Sequence, residues 1–182
     1  MFAGHYFMNM LSSFAVFTET HPLTFSHMQF FDFIRQGNID EIKSLVSNNP
    51  KLVSQQDPRG FTPLVLATYT NQVEITEFLL ENGANINAQD GVGNTALMGV
   101  CFKGDSEIAE MLIQHEADVN VQNNKGITAL IYAAMFGQVE ITELLLNAGA
   151  DKSMKDGTGN TALTHAQAKN IQSIMQLLDS DN

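Results

Sequence analysis

The run Gly126-Ile127-Thr128-Ala129-Leu130, followed by Val139-Glu140-Ile141, Leu144-Leu145-Leu146 and Ala148-Gly149-Ala150-Asp151, decides how this chain is read, because it is one copy of a phrase that recurs. Thr62-Pro63-Leu64, Thr95-Ala96-Leu97 and Thr161-Ala162-Leu163 repeat its tripeptide at a spacing of 33 residues each time. Gly60, Gly93 and Gly159 hold the place of Gly126. Val73-Glu74-Ile75 and Ser106-Glu107-Ile108 hold that of Val139-Glu140-Ile141, and Phe78-Leu79-Leu80 and Met111-Leu112-Ile113 that of the leucine triplet. The closing phrase returns as Asn82-Gly83-Ala84-Asn85 and His115-Glu116-Ala117-Asp118. Self-similarity at one fixed period is the signature of a stacked repeat architecture.

Within one period the apolar positions follow a helical spacing, as in Leu64 and Ala67 and then Ile75, Phe78 and Leu79, with a break at Asn71-Gln72 and a stop at Asn82-Gly83. This predicts two short helices and a loop. Each helix is shorter than the roughly 12 to 15 residues an isolated helix needs in water, so both depend on burying an apolar face against neighbours. A pair that cannot close its own core stacks on the next pair, and a solenoid with local contacts results.

The period and the Thr-Pro-Leu, Gly-Ala-Asn and Glu-Ile phrases resemble those of the ankyrin repeats, over residues 29–178. The short closing loops are similar to those of small bacterial ankyrin proteins as much as to ankyrin segments excised from eukaryotic ones. The resemblance implies an all-α solenoid of stacked helix-turn-helix pairs with projecting β-turn or hairpin loops. Its expected divisions are an N-terminal cap at 28–57, full repeats at 58–90, 91–123 and 124–156, and a C-terminal cap at 157–182, which makes five helix pairs. The last helix suits an end cap, since Gln172, Ser173, Gln176 and Asp179 are polar. Two departures stand out. The family's His after Thr-Pro-Leu is replaced by Val65, Met98, Ile131 and Thr164, so packing must replace that tie. The closing-loop glycine, kept as Gly83 and Gly149, is Glu116 in the second repeat, which predicts a strained or reshaped loop there.

Composition narrows the function. Twenty acidic against nine basic side chains give a net charge of −11, which disfavours nucleic-acid binding, where cationic side chains must displace counterions. A polybasic membrane anchor is disfavoured on the same ground. One cysteine, Cys101, excludes an intramolecular disulfide and a multi-thiolate zinc site. No apolar run is long enough to span a bilayer. The segment 1–27 has no Lys or Arg and is read as a disordered leader or a start assigned too early, ahead of Met28, with a weak signal-like segment as the alternative. A cytoplasmic location is expected, or a bacterial periplasm if that segment is a signal.

Nothing points to catalysis, a cofactor or a metal. Gly91-Val92-Gly93 and Gly157-Thr158-Gly159 recur with the period as turn glycines and lack the strand-turn-helix context of a phosphate loop. His5, His21, His27 and His115 are scattered, and His165 is read as a partly buried residue of the C-terminal cap. Cys101 stands where the family has Ala and is read as a small buried filler.

The resemblance also implies which positions face outward. Residues before the mid-repeat Gly or Asn face a concave groove, which gives Arg35, Tyr69, Phe102, Lys103, Met135, Phe136 and Lys169. Those beside the turn glycines form projecting fingers, which gives Arg59, Phe61, Lys125 and Ile127. Tyr69, Phe102 and Phe136 then form a stripe that either stiffens the stack or serves as a contact strip for a partner. Basic residues gather on this face, whereas Glu74, Glu77, Glu107, Glu110, Glu140 and Glu143 recur on the outer helices. The expected function is a non-catalytic, monomeric protein-binding module whose partner protein offers apolar and acidic contact residues. The alternatives are an inhibitor or spacer subunit that occludes a partner enzyme, and a substrate of an asparaginyl hydroxylase modified at Asn87 or Asn120.

Overall fold

A computed structural model describes residues 22–179. It contains ten α-helices and one 3-10 turn among the described residues, and no strand. The helices are α1 (Pro22–Gln36), α2 (Ile39–Asn48), α3 (Pro63–Tyr69), α4 (Val73–Glu81), α5 (Ala96–Lys103), α6 (Ser106–Gln114), α7 (Ala129–Phe136), α8 (Val139–Asn147), α9 (Ala162–Lys169) and α10 (Gln172–Asp179). The 3-10 turn, Pro50–Ser54, packs against α2 and α3. Helix α1 reaches back to Pro22, so residues 22–27, expected within the leader, are helical. The rest of that segment, 1–21, lies outside the described residues, as do His5 and His21. The projecting loops are hydrogen-bonded turns, each closed by a backbone bond between its two legs, as from the Asp90 N–H to the Asn94 carbonyl at 2.9 Å.

The tripeptide explains each inner helix. Thr62, Thr95, Thr128 and Thr161 sit at the N-caps of α3, α5, α7 and α9. Each hydroxyl accepts the N–H three residues on, at 3.1 Å for Val65, 3.4 Å for Met98, 3.2 Å for Ile131 and 3.3 Å for Thr164. At the other end the chain turns through positive φ, at Gly104 (89°) and Gly137 (75°), and at Asn71 (60°) and Asn170 (56°) where the repeat lacks the glycine. The helix pairs stack as two rows, α1-α3-α5-α7-α9 inside and the even-numbered helices outside.

One continuous core runs between the rows, with Ile75, Leu79, Leu97, Val100, Ile108, Leu112, Ile131, Ile141 and Leu145 among its buried members. A fully buried aliphatic side chain of this kind contributes about 1.5 to 3 kcal/mol. Val65, Met98 and Ile131, which stand where the family has His, are buried in it, whereas Thr164 is exposed. Cys101 is fully buried, and burial pushes its thiol up, away from the reactive thiolate. Glu116 sits at φ 63°, where Gly83 and Gly149 sit at 83° and 85°. The six repeated glutamates of the outer helices are exposed, as are Gln172, Ser173, Gln176 and Asp179.

Polar ladders with the same period tie the loops together. The Gln56 amide donates to the Gln89 carbonyl at 2.9 Å, Gln89 to Gln122 at 3.0 Å, and Gln122 to Lys155 at 3.0 Å. Near the closing phrases, Asn87 Oδ1 accepts the Asp118 N–H at 2.9 Å and Asn120 Oδ1 that of Asp151 at 2.8 Å. These bonds join one repeat to the next.

Candidate aromatic groove

The finger turns are built by a residue that the tripeptide conceals. Asp57, Asp90, Asn123 and Asp156 occupy one register, and in each the Oδ1 oxygen accepts the two backbone N–H groups that shape the turn. The pairs are Arg59 and Phe61 (2.9 and 3.0 Å), Val92 and Asn94 (3.0 and 2.8 Å), Lys125 and Ile127 (2.9 and 3.0 Å), and Thr158 and Asn160 (2.8 and 3.0 Å). The turns touch one another closely. A Cβ on Gly60, at φ 84°, would stand 2.8 Å from the Gly91 backbone, so the first finger needs glycine both for its dihedral and for its neighbour.

Helices α3, α5 and α7 bring Tyr69, Phe102 and Phe136 into line. The Tyr69 and Phe102 rings stack with centroids 5.9 Å apart and 8° between planes, and Phe102 meets Phe136 edge to face at 4.7 Å. The row extends to Phe61 beside Tyr69 (6.5 Å) and to Tyr132 beside Phe136 (6.1 Å). The three central rings remain 39%, 41% and 43% exposed. The rings therefore stiffen the stack through mutual contact while still presenting a surface. The three rings line a cleft of about 310 Å³ together with apolar Val65 and Met98 and with Asp90, Asn94 and Gly99.

The other expected contact residues divide. Phe61, Ile127 and Met135 are half-buried and packed on the core, so the turn positions of Phe61 and Ile127 do not project into solvent. The exposed apolar finger residue is Val92, at 59%. Lys103 lays its Nζ over the Tyr69 ring at 4.7 Å, and the Arg59 guanidinium lies over Phe61 at 5.2 Å. Lys125 and Lys169 are exposed. Arg35 is not free: it pairs with Asp57 at 2.9 Å and Asp32 at 2.8 Å, and Arg59 also reaches Asp57 at 3.4 Å. Two of the cations expected to serve a partner are thus partly neutralised by the buried Asp57. Burial opposes the ionised form of Asp57, but the N–H groups of Phe61 and Arg59 and the Arg59 charge outweigh it and hold its carboxyl below the usual range.

Sequence reading missed Tyr132, Asp90 and Gly99. Tyr132 lies one helical turn before Phe136 on the same face, a spacing that could have revealed it. Its hydroxyl meets the Asn123 amide nitrogen at 3.3 Å and Asn94 Oδ1 at 3.4 Å. Burial pushes that phenol above its ordinary value; the Asn123 contact lowers it and the nearby Asp90 carboxylate raises it further. His165 meets Asp156 Oδ2 at 2.7 Å, so it anchors a finger turn and does more than fill space. Among the described residues no three His, Cys, Asp or Glu side chains converge as a metal-holding group.

Comparison with known proteins places the chain. A family model described as "Ankyrin repeats (3 copies)" matches residues 28–90 and 97–182. The human "DNA-binding protein RFXANK" is 36% identical over 63 residues, which is 35% of this chain and 24% of that protein. The Schizosaccharomyces pombe "BTB/POZ domain-containing protein 3" is 37% identical over 57 residues, 31% of this chain and 11% of that protein. The matched region is thus a quarter or less of each relative's own length.

Proposed function

Because this chain belongs to the ankyrin-repeat family, whose repeats mediate protein–protein interaction, we propose that it is a non-catalytic module that receives a partner protein in the groove of inner helices and finger turns. The observation that carries this reading is the continuous row of half-exposed rings, Tyr69, Phe102 and Phe136, which line a largely apolar cleft. Aromatic side chains bury a large area at low cost in conformational freedom, and they concentrate where interfaces gain most of their affinity.

The partner segment is apolar with acidic residues beside it. Lys103, Lys125 and Lys169 are exposed on or near this face, and the glutamates lie on the outer helices, so an acidic flank is drawn to one side of the stack only. The relative's name describes DNA binding for that protein; the net charge of −11 here does not favour phosphate contacts. A monomer working in the cytoplasm belongs to the same proposal.

Selection from a displayed random-peptide library on the immobilised full chain tests it. The retained pool is expected to be rich in apolar residues flanked by Asp and Glu, and to be lost on a Tyr69→Ala, Phe102→Ala, Phe136→Ala variant that keeps its helical circular dichroism. A pool that binds the folded variant equally well would overturn the groove as the binding face.

A further inference from the structure

A finger-turn side chain and an inner-helix side chain nine residues later face each other in successive repeats. Asp156 Oδ2 meets His165 Nε2 at 2.7 Å, and the Asn123 amide nitrogen meets the Tyr132 hydroxyl at 3.3 Å. In the first full repeat the helix position is Leu66, and Asp57 Oδ2 is taken by Arg35 at 2.9 Å and Arg59 at 3.4 Å. In the second repeat the helix position is Gly99, and Asp90 Oδ2 has no hydrogen-bond or ion-pair partner among the described residues. The place of the missing side chain is open. A Cβ on Gly99 would meet only Thr68 Oγ1, at 3.6 Å, and Gly99 and Asp90 line the same cleft as Tyr69, Phe102, Tyr132 and Phe136.

We propose that this notch is a specificity pocket for a basic side chain, arginine or lysine, carried by the protein segment that the groove receives. The inference rests on the groove reading above and adds to it one defined contact. Asp90 Oδ1 is committed to the Val92 and Asn94 N–H groups, so the second oxygen is the acceptor a guanidinium or ammonium donor would reach. The rings that wall the cleft favour a cation over a neutral group. The chain's own nearby cations are engaged elsewhere, Arg59 with Asp57 and the Phe61 ring, and Lys103 over the Tyr69 ring. An acidic side chain entering here would meet Asp90 with like charge, so the acidic flanks of the partner fall outside the notch.

The test is an NMR titration of the isotope-labelled full chain with N-acetyl-arginine methylamide, N-acetyl-lysine methylamide, the neutral isostere N-acetyl-citrulline methylamide, and N-acetyl-leucine methylamide. The basic probes are expected to move the amide signals of Gly99, Phe102 and Val92 saturably and to bind about tenfold more tightly than citrulline, the step that one charge-assisted hydrogen bond supplies. Asp90→Asn is expected to erase that preference while keeping the turn, because Asn123 builds the same turn in the next repeat. Gly99→Tyr, which copies the Tyr132 arrangement, is expected to close the notch to all four probes. Citrulline or leucine binding as tightly as arginine at these signals would overturn the basic pocket and leave the groove reading standing. No saturable shift at Gly99 with any probe would also overturn the pocket, and peptide selection by the aromatic row then decides the groove reading separately.

Discussion

Tyr69 and Phe102 belong to different repeats, yet their rings lie 8° from parallel with centroids 5.9 Å apart. The contact follows from the period: residues 33 apart in sequence occupy the same helical position one layer up, and the inner helices of adjacent layers bring equivalent side chains together. Phe102 is the hinge of the row, since it touches Tyr69 on one side and Phe136 on the other.

Replacing Phe102 by alanine removes both ring contacts at a site that is 41% exposed. A loss of about 1 to 2 kcal/mol is expected, less than for a fully buried phenylalanine. Urea unfolding of Phe102→Ala beside Phe30→Ala, whose ring is fully buried, checks the difference; equal losses would contradict a half-exposed row.

Gly99 lies inside α5 with room for a methyl group, so Gly99→Ala is expected to raise stability by about 0.5 to 1 kcal/mol through helix propensity. Gly60→Ala is expected to do the reverse, because φ is 84° and the Gly91 backbone is 2.8 Å from the added carbon. Thermal melts of the two variants should move in opposite directions. A fall for Gly99→Ala would show that the notch is already filled.

At Glu116 the backbone adopts φ 63° in an exposed loop, with a side chain that ordinarily disfavours it. Glu116→Gly is expected to stabilise the chain by roughly 1 kcal/mol. A melting temperature at or below that of the parent would mean that glycine's freedom in the unfolded chain outweighs the strain relieved.

Three finger and loop carboxyls titrate below their ordinary values. Asp156 is held down first by the Thr158 hydroxyl, against some burial, and then by His165 and backbone N–H groups; Asp151 by the Ser153 hydroxyl and N–H; Asp57 by the groups named above. A carboxyl whose folded value is depressed adds stability that is complete above the unfolded value, about 3.9, and is lost as pH falls through the folded one. Stability is therefore expected to drop below about pH 4, and Asp156→Asn to flatten that drop. Chemical denaturation at pH 3 and pH 7 measures it, and an unchanged slope in the variant would contradict the assignment.

The stack itself was legible because its signals are local and repeated. The capping threonines, the turn glycines and the apolar spacing each act within a few residues, so the four Thr-Pro/Ala-Leu copies are enough to place α3, α5, α7 and α9, whereas α1, which has no copy, begins at Pro22 inside the segment read as a leader. The site was only partly legible. Tyr69 and Phe102 align by register, 33 residues apart, but Phe136 lies 34 after Phe102, with Met135 at the equivalent position, so its place in the row is known only from the ring contact. The half-burial of Phe61 and Ile127 likewise depends on tertiary packing against the core. The capture of Arg35 by Asp57, 22 residues along the chain, is of the same kind. The open notch beside Asp90 is defined by a side chain that Gly99 lacks, and its meaning emerges only when equivalent positions of other repeats are seen in contact.

Affinity capture by the full chain, run beside two folded variants, tests the central claim most directly. One variant carries Tyr69→Ala, Phe102→Ala and Phe136→Ala on the groove; the other carries Glu74→Gln, Glu107→Gln and Glu140→Gln on the outer helices. The expected result is a protein retained by the parent and by the outer-face variant and lost by the groove variant. Retention by the groove variant together with loss by the outer-face variant would contradict the claim and move the binding surface to the other side of the stack.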